Sequence, residues 1–186
     1  MVKIYIQKSP LHVIIRSALE VYNNETIGCL YGNVKEKKSG KIYIIESAQP
    51  YQNAERKKTV TSVDDYPTEA LQIGIEKLVG DYHSHTKYSN NNGLQIPLLR
   101  LSNEDIADIL KIRKELNNLD YMCLLITINK TNRKWLLKQY LDEVYGTLKL
   151  NGSNYLIHIK SYYFIGKRKR IANLMIRKGL LKNIFE

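Results

Sequence analysis

Cysteine is scarce in this chain: two in 186 residues, Cys29 and Cys123, each inside an apolar run. Two buried thiols fit that placement better than a disulfide, and neither has the spacing of a CxxC metal site. Long apolar runs are missing as well. No stretch approaches the roughly 18 uninterrupted apolar residues of a membrane span. The opening MVKIYIQK lacks the apolar segment of a signal peptide, so a cytoplasmic protein with no membrane partner is the expectation. There is no internal repeat, and no linker long enough to split the chain. Acidic residues are outnumbered, 18 against 29 lysines and arginines, for a net charge of +11. The excess is uneven: from Lys160 onward eight cations face Glu186 alone. The basic character therefore belongs mostly to the tail, and nucleic acid or an acidic partner would be met there.

Strand and helix signals alternate along the remainder. Residues 2–7 read as a first strand. Ser9-Pro10 opens a helix, with serine as N-cap and proline in the first turn, and Leu11, Ile14, Ile15, Ala18 and Leu19 give it a helical stripe. Strands over 26–34 and 41–48 follow, joined by the polar turn KEKKSG. A second helix is expected over about 66–79, ended by Gly80, with DYHSH beginning a short strand. A third runs from Ser102 to about Leu116. YMCLLITI (121–128) is apolar on both faces, as a central strand is. RKWLLKQYL (133–141) and residues 154–160 add strands, and a basic helix runs from Gly166. The order implies an α/β fold with a curved mixed sheet between helices, divided into a body over 1–160 and a basic helical extension over 161–186.

Within this plan one constellation carries chemistry. His83 and His85 stand at i and i+2 on a strand, so both point to one side while Tyr82 and Ser84 face the other. Downstream, Ser102 and Asp105 stand in the S-x-x-D spacing of a helix cap. An aspartate in a first helical turn can still face a neighbouring strand. Upstream, Glu25 precedes a strand carrying Gly28 and Gly32, and glycine inside a strand is costly unless something must approach the backbone.

Glutamate, HxH and SxxD in this order resemble the JAB1/MPN/Mov34 (JAMM) zinc metalloproteases, of the stand-alone prokaryotic or archaeal type. The resemblance spans roughly residues 2 to 140, through ExxGxLxG, then GDYHSHT, then SxxD. It implies the MPN fold and one zinc ion per chain, held by His83, His85 and Asp105 with a fourth position left for water. It implies Glu25 as the general base that takes the water's proton and passes it to the leaving amine. Ser102 would hydrogen-bond the tetrahedral oxyanion. The substrates it implies carry the Gly-Gly tail of a ubiquitin-like modifier or a sulfur-carrier protein, cut at an isopeptide or peptide bond.

One departure stands out. Thr86 follows the second histidine where the family often has proline, and 19 residues separate His85 from Asp105. The excess is KYSNNNGLQIP, and residues 87–96 are expected to form a mobile flap over the substrate groove. Because closure cost grows only logarithmically with loop length, the insertion need not displace Asp105. Other readings remain. A facial triad of non-haem iron also uses two histidines and a carboxylate, but it leaves Glu25 without a role. A non-catalytic MPN scaffold needs none of the five residues. A RadC-like, nucleic-acid-associated protein would share HxH and SxxD, with GKRKR as its phosphate-binding patch. His12 and His158 join none of these patterns.

Overall fold

The computed structural model describes residues 1–22, 24–51, 55–56, 61–62, 77–85, 87–89, 95–97, 99–118 and 120–185. Among them the chain runs β1 (Lys3–Ile6), α1 (Lys8–Glu20), β2 (Ile27–Lys37), β3 (Gly40–Pro50) and the short β4 (Glu55–Arg56) and β5 (Thr61–Ser62). Then come β6 (Leu78–His85), β7 (Lys87–Ser89), β8 (Gln95–Pro97), α2 (Asn103–Glu115) and β9 (Met122–Thr131). The remainder is β10 (Lys138–Gln139), β11 (Glu143–Leu150), β12 (Ser153–Ile165), β13 (Arg168–Ile171), β14 (Asn173–Met175) and α3 (Lys178–Phe185).

One mixed sheet holds the described body together, in the order β10-β11-β12-β9-β6-β2-β3-β1-β14, with β13 also paired to β12. β1 lies parallel to β3 and to β14, and β6 parallel to β9; the other neighbours are antiparallel. The sheet curls. Ala172 N–H donates to Ser161 C=O, and Leu174 N–H to Leu141 C=O, so the last strands cross from the β11–β12 end towards β1.

β9 has both faces buried, as its unbroken apolar run requires. Met122, Leu124 and Ile126 pack with Ile14, Tyr82, Leu181 and Phe185 on the side of α1 and α3. Cys123 and Leu125 pack with Leu101, Ile109, Ile112 and Phe164 on the side of α2. Each large apolar side chain buried in this way contributes about 1.5–3 kcal/mol. The candidate site lies on the α2 side.

Several elements differ from the sequence reading. α1 begins one residue before Ser9, its N-cap is Gln7 in extended backbone, and no side chain caps it. Pro10 is tolerated within the first turn because the first four N–H groups of a helix have no partner inside it. Leu78, Val79 and Gly80 belong to β6, where the second helix was expected to end; the rest of that helix, 66–76, lies outside the described residues. Gly80 continues the strand because the Met122 carbonyl occupies the place of a side chain. The strand expected over 133–141 shrinks to Lys138–Gln139, while β11 takes a stretch in which Gly146 had masked the strand signal. Phe185 fills the space that glycine leaves, its ring 3.0 Å from where a Cβ would stand. The basic helix from Gly166 is a hairpin instead. Gly166, at φ 55°, turns the chain back, and Arg168–Ile171 pair with Tyr162–Ile165. Among the described residues of that stretch only Lys178–Phe185 is helical. The boundary expected at residue 160 falls inside β12.

Candidate metal centre

β6 sets the histidines. It lies between β2 and β9, with His83 opposite Ile27 on one side and Leu125 on the other. The pleat then sends Asp81, His83 and His85 towards α2. Tyr82 goes the other way, where its hydroxyl meets Ser17 Oγ at 3.0 Å beneath α1.

α2 brings the carboxylate. Ser102 Oγ accepts from Asp105 N–H at 3.0 Å, and Asp105 Oδ2 accepts from Ser102 N–H at 2.6 Å, a complete capping box. The cap therefore fixes the aspartate that faces the histidines. Asp105 Oδ1 lies 3.6 Å from His83 Nε2, and Oδ2 lies 3.3 Å from His85 Nε2. Two ligands at about 2.0–2.1 Å from one tetrahedral ion stand roughly 3.3 Å apart, so these separations fit. His83 Nε2 is buried with no hydrogen-bond partner among the described residues. A nitrogen in that condition is costly unless something else binds it. One donor atom from each of the three residues lies within 4.8 Å of the others, and the group could hold a metal ion.

The electrostatics of the metal-free cluster follow from its charges. Burial works to raise the Asp105 carboxyl, but the His83 and His85 rings beside it, with the Ser102 backbone N–H, outweigh it and hold it far below the carboxylate range. Burial likewise works to lower His83, yet Cys123, Asp105 and Asp81 together leave it well above an ordinary imidazole. Burial pushes the Cys123 thiol up.

The insertion closes on itself at its base. Lys87, Tyr88 and Ser89 pair with Pro97, Ile96 and Gln95, which returns the chain close to where it left; residues 90–94 lie outside the described residues. The far side is anchored too. Tyr162 Oη donates to Leu99 C=O at 2.9 Å, and Lys169 Nζ to Leu101 C=O at 3.4 Å. β12 and β13 thereby steady the approach to the Ser102 cap.

Glu25 stands just before β2. Thr26 C=O accepts from Ser84 N–H at 2.8 Å, and Thr26 N–H donates to Ser84 Oγ at 2.9 Å. The β2–β6 ladder begins at Ile27 opposite His83, and Glu25 stands two residues before it. It is half-buried there and has an interacting neighbour. The glycines of β2 answer to the fold. A Cβ on Gly28 would stand 2.5 Å from the Tyr82 ring and from the Gln49 carbonyl, and one on Gly32 would strike the Ile44 carbonyl at a register shift. His12 is exposed on α1, and His158 pairs with Glu143 at 3.3 Å, away from the cluster.

Two neighbours of the site escaped the sequence reading. Asp81 Oδ1 is 3.9 Å from His83 Nδ1, and Cys123 Sγ is 3.6 Å from the same nitrogen. Asp81 was legible in the alternation D-Y-H-S-H, which puts it on the histidine face; Cys123 required the β6–β9 pairing.

An α/β protein with a curled mixed sheet, and with two histidines and an aspartate converging at the start of a helix, is the class these features define. A family model described as JAB1/Mov34/MPN/PAD-1 ubiquitin protease matches residues 1–96. The chain belongs to that family. The match takes in Glu25, His83 and His85 and stops within the insertion, so Ser102 and Asp105 are joined to it by geometry. No curated protein matches the chain. Among solved structures, the solution structure of protein DSY2949 from Desulfitobacterium hafniense is similar, at 17% identity over 94% of this chain and 92% of that one, with a TM-score of 0.49.

Proposed function

We propose that the chain has the MPN fold and is a zinc-dependent peptidase of the JAMM type. It would hydrolyse the isopeptide or peptide bond after the Gly-Gly tail of a ubiquitin-like modifier or sulfur-carrier protein. The observation that carries this reading is the pair of short separations from His83 Nε2 and His85 Nε2 to the two oxygens of one capped aspartate. A borderline ion such as zinc takes imidazole with carboxylate, and three protein ligands with an open fourth position suit it. Zinc in such a site supplies Lewis acidity, lowering the pKa of water towards about 7 and polarising a carbonyl.

The chain's own groups do the rest. Glu25 accepts the proton of the attacking water and delivers it to the amine nitrogen as the C–N bond breaks. The Ser102 hydroxyl uses its oxygen in the cap, which leaves its proton free to stabilise the developing oxyanion. An extended Gly-Gly tail presents no side chains and reaches a narrow cleft where other residues would clash.

Zinc content of the purified protein, measured alongside cleavage of a Gly-Gly-linked isopeptide with and without chelator, tests the whole reading. One zinc per chain and chelator-sensitive cleavage are expected. His83→Ala and Asp105→Asn should each remove the metal; full zinc in both variants would reject the ligand assignment. Zinc without cleavage of any such substrate would favour the scaffold reading.

A further inference from the structure

Asp81 is an anomaly as a structural residue. It is 4% exposed, and its Oδ1 has no hydrogen-bond partner among the described residues. On the neighbouring strands its register partners are Cys29 and Cys123, two buried thiols that carry no charge. Among the described residues no lysine or arginine pairs with it, and the His83 ring lies 3.9 Å away. A buried carboxylate without a counter-charge is strongly unfavourable. Something must offset it.

The geometry points to the metal itself. Nε2 of His83 faces Asp105 and the proposed ion, while Nδ1 faces Cys123 Sγ at 3.6 Å and the Asp81 carboxylate at 3.9 Å. We infer that Asp81 is a built-in counter-charge of the metal centre: from behind His83 it favours the imidazole with its proton on Nδ1 and its lone pair on Nε2, and it offsets part of the charge the ion brings. A divalent ion with one ligating carboxylate leaves a net positive charge in a buried site; the second carboxylate balances it. Metal-ligating histidines commonly have such a partner on the other nitrogen, worth about 10–100-fold in metal affinity. Asp81 is a positioning residue in this account, since it touches the ligand and not the ion. The inference rests on the zinc reading above.

The account makes an unusual pair of demands. The fold must not need Asp81, and metal binding must. Asp81→Asn keeps the shape and an acceptor oxygen while removing the charge, and Asp81→Leu removes both. The experiment is a competition titration of Zn2+ against a chromophoric chelator, with thermal unfolding of the same chelator-treated proteins. Wild type is titrated first: if it binds no zinc, the zinc reading fails and this inference with it. Given zinc binding by wild type, both variants should bind about 10–100-fold more weakly, while both still unfold cooperatively without metal. Cys123→Ala is carried alongside, because Cys123 Sγ lies 3.6 Å from the same Nδ1. Unchanged zinc affinity in both Asp81 variants overturns the inference. So does failure of both to fold without metal, which would make Asp81 a requirement of the fold. A second zinc equivalent in wild type, lost in Asp81→Asn and Cys123→Ala together, also overturns it, because Asp81, His83 and Cys123 would then be a metal site of their own.

Discussion

In the proposed mechanism Glu25 moves a proton and His83 holds the ion, and substitutions separate the two jobs. Glutamine in place of Glu25 keeps the size of the side chain but cannot accept a proton at neutral pH. Glu25→Gln should retain zinc and fold while losing cleavage by about 10²–10⁴-fold, the usual worth of a positioned base. Near-wild-type cleavage by that variant would sink the mechanism. The raised pKa of His83 gives two trends of opposite sign. In the metal-free protein the ring holds its proton above the ordinary imidazole value of 6.5, and zinc must displace it. Zinc affinity should therefore climb with pH and fall on acidification. Asp105, held far below the carboxylate range, stays ionised throughout and adds nothing to that fall. A group whose folded pKa is raised stabilises the fold below its unfolded value, and that stability is lost as pH rises through the folded value. The metal-free unfolding midpoint should thus decline above about pH 6.5 while zinc affinity improves. Parallel trends in the two titrations would contradict the charges assigned to the cluster.

At the scale of elements, the paired bases of β7 and β8 separate the insertion from the ligand-bearing segments on either side. The site is held from elsewhere, by the β6 ladder, the Ser102 cap and the Tyr162 and Lys169 hydrogen bonds. We expect shortening of the segment between β7 and β8 to change substrate affinity or selectivity and to leave zinc content unaltered. Loss of zinc on shortening would assign the insertion to the framework of the site. How well these elements could be read from sequence depended on how local their causes are. The HxH pair, the SxxD cap and the doubly apolar β9 each declare themselves within a few residues, through strand period, helix capping and hydropathy. β11 and β13 did not. Gly146 is a strand residue because a phenylalanine 39 positions later needs its space, and the basic run 168–171 is a strand because β12 offers it an edge. Asp81 lies between these cases: its face was readable from alternation, its lack of a counter-charge only from the assembled core.

For the molecule as a whole, the strand order ends by placing the last strand against the first. β14 pairs in parallel with β1, Lys3 to Tyr5 against Asn173 to Met175, and Asn173 N–H donates to Val2 C=O at 2.9 Å. Leu181 and Phe185 of α3 then sit in the core shared with α1. This arrangement has a mechanical consequence. A load applied ahead of Lys3 and beyond Met175 pulls two parallel neighbours in opposite directions along their length. The hydrogen bonds between them are stressed together in shear, whereas a hairpin pulled from its open end is unzipped one bond at a time. In a single-molecule extension experiment, α3 should peel away at low force because it has no ladder to break. The β1–β14 contact should then give one distinct force peak, higher than that of a variant in which Asn173→Pro removes the N–H that bonds to Val2 C=O. Equal peaks in the two chains would mean that the clasp between first and last strands bears no load.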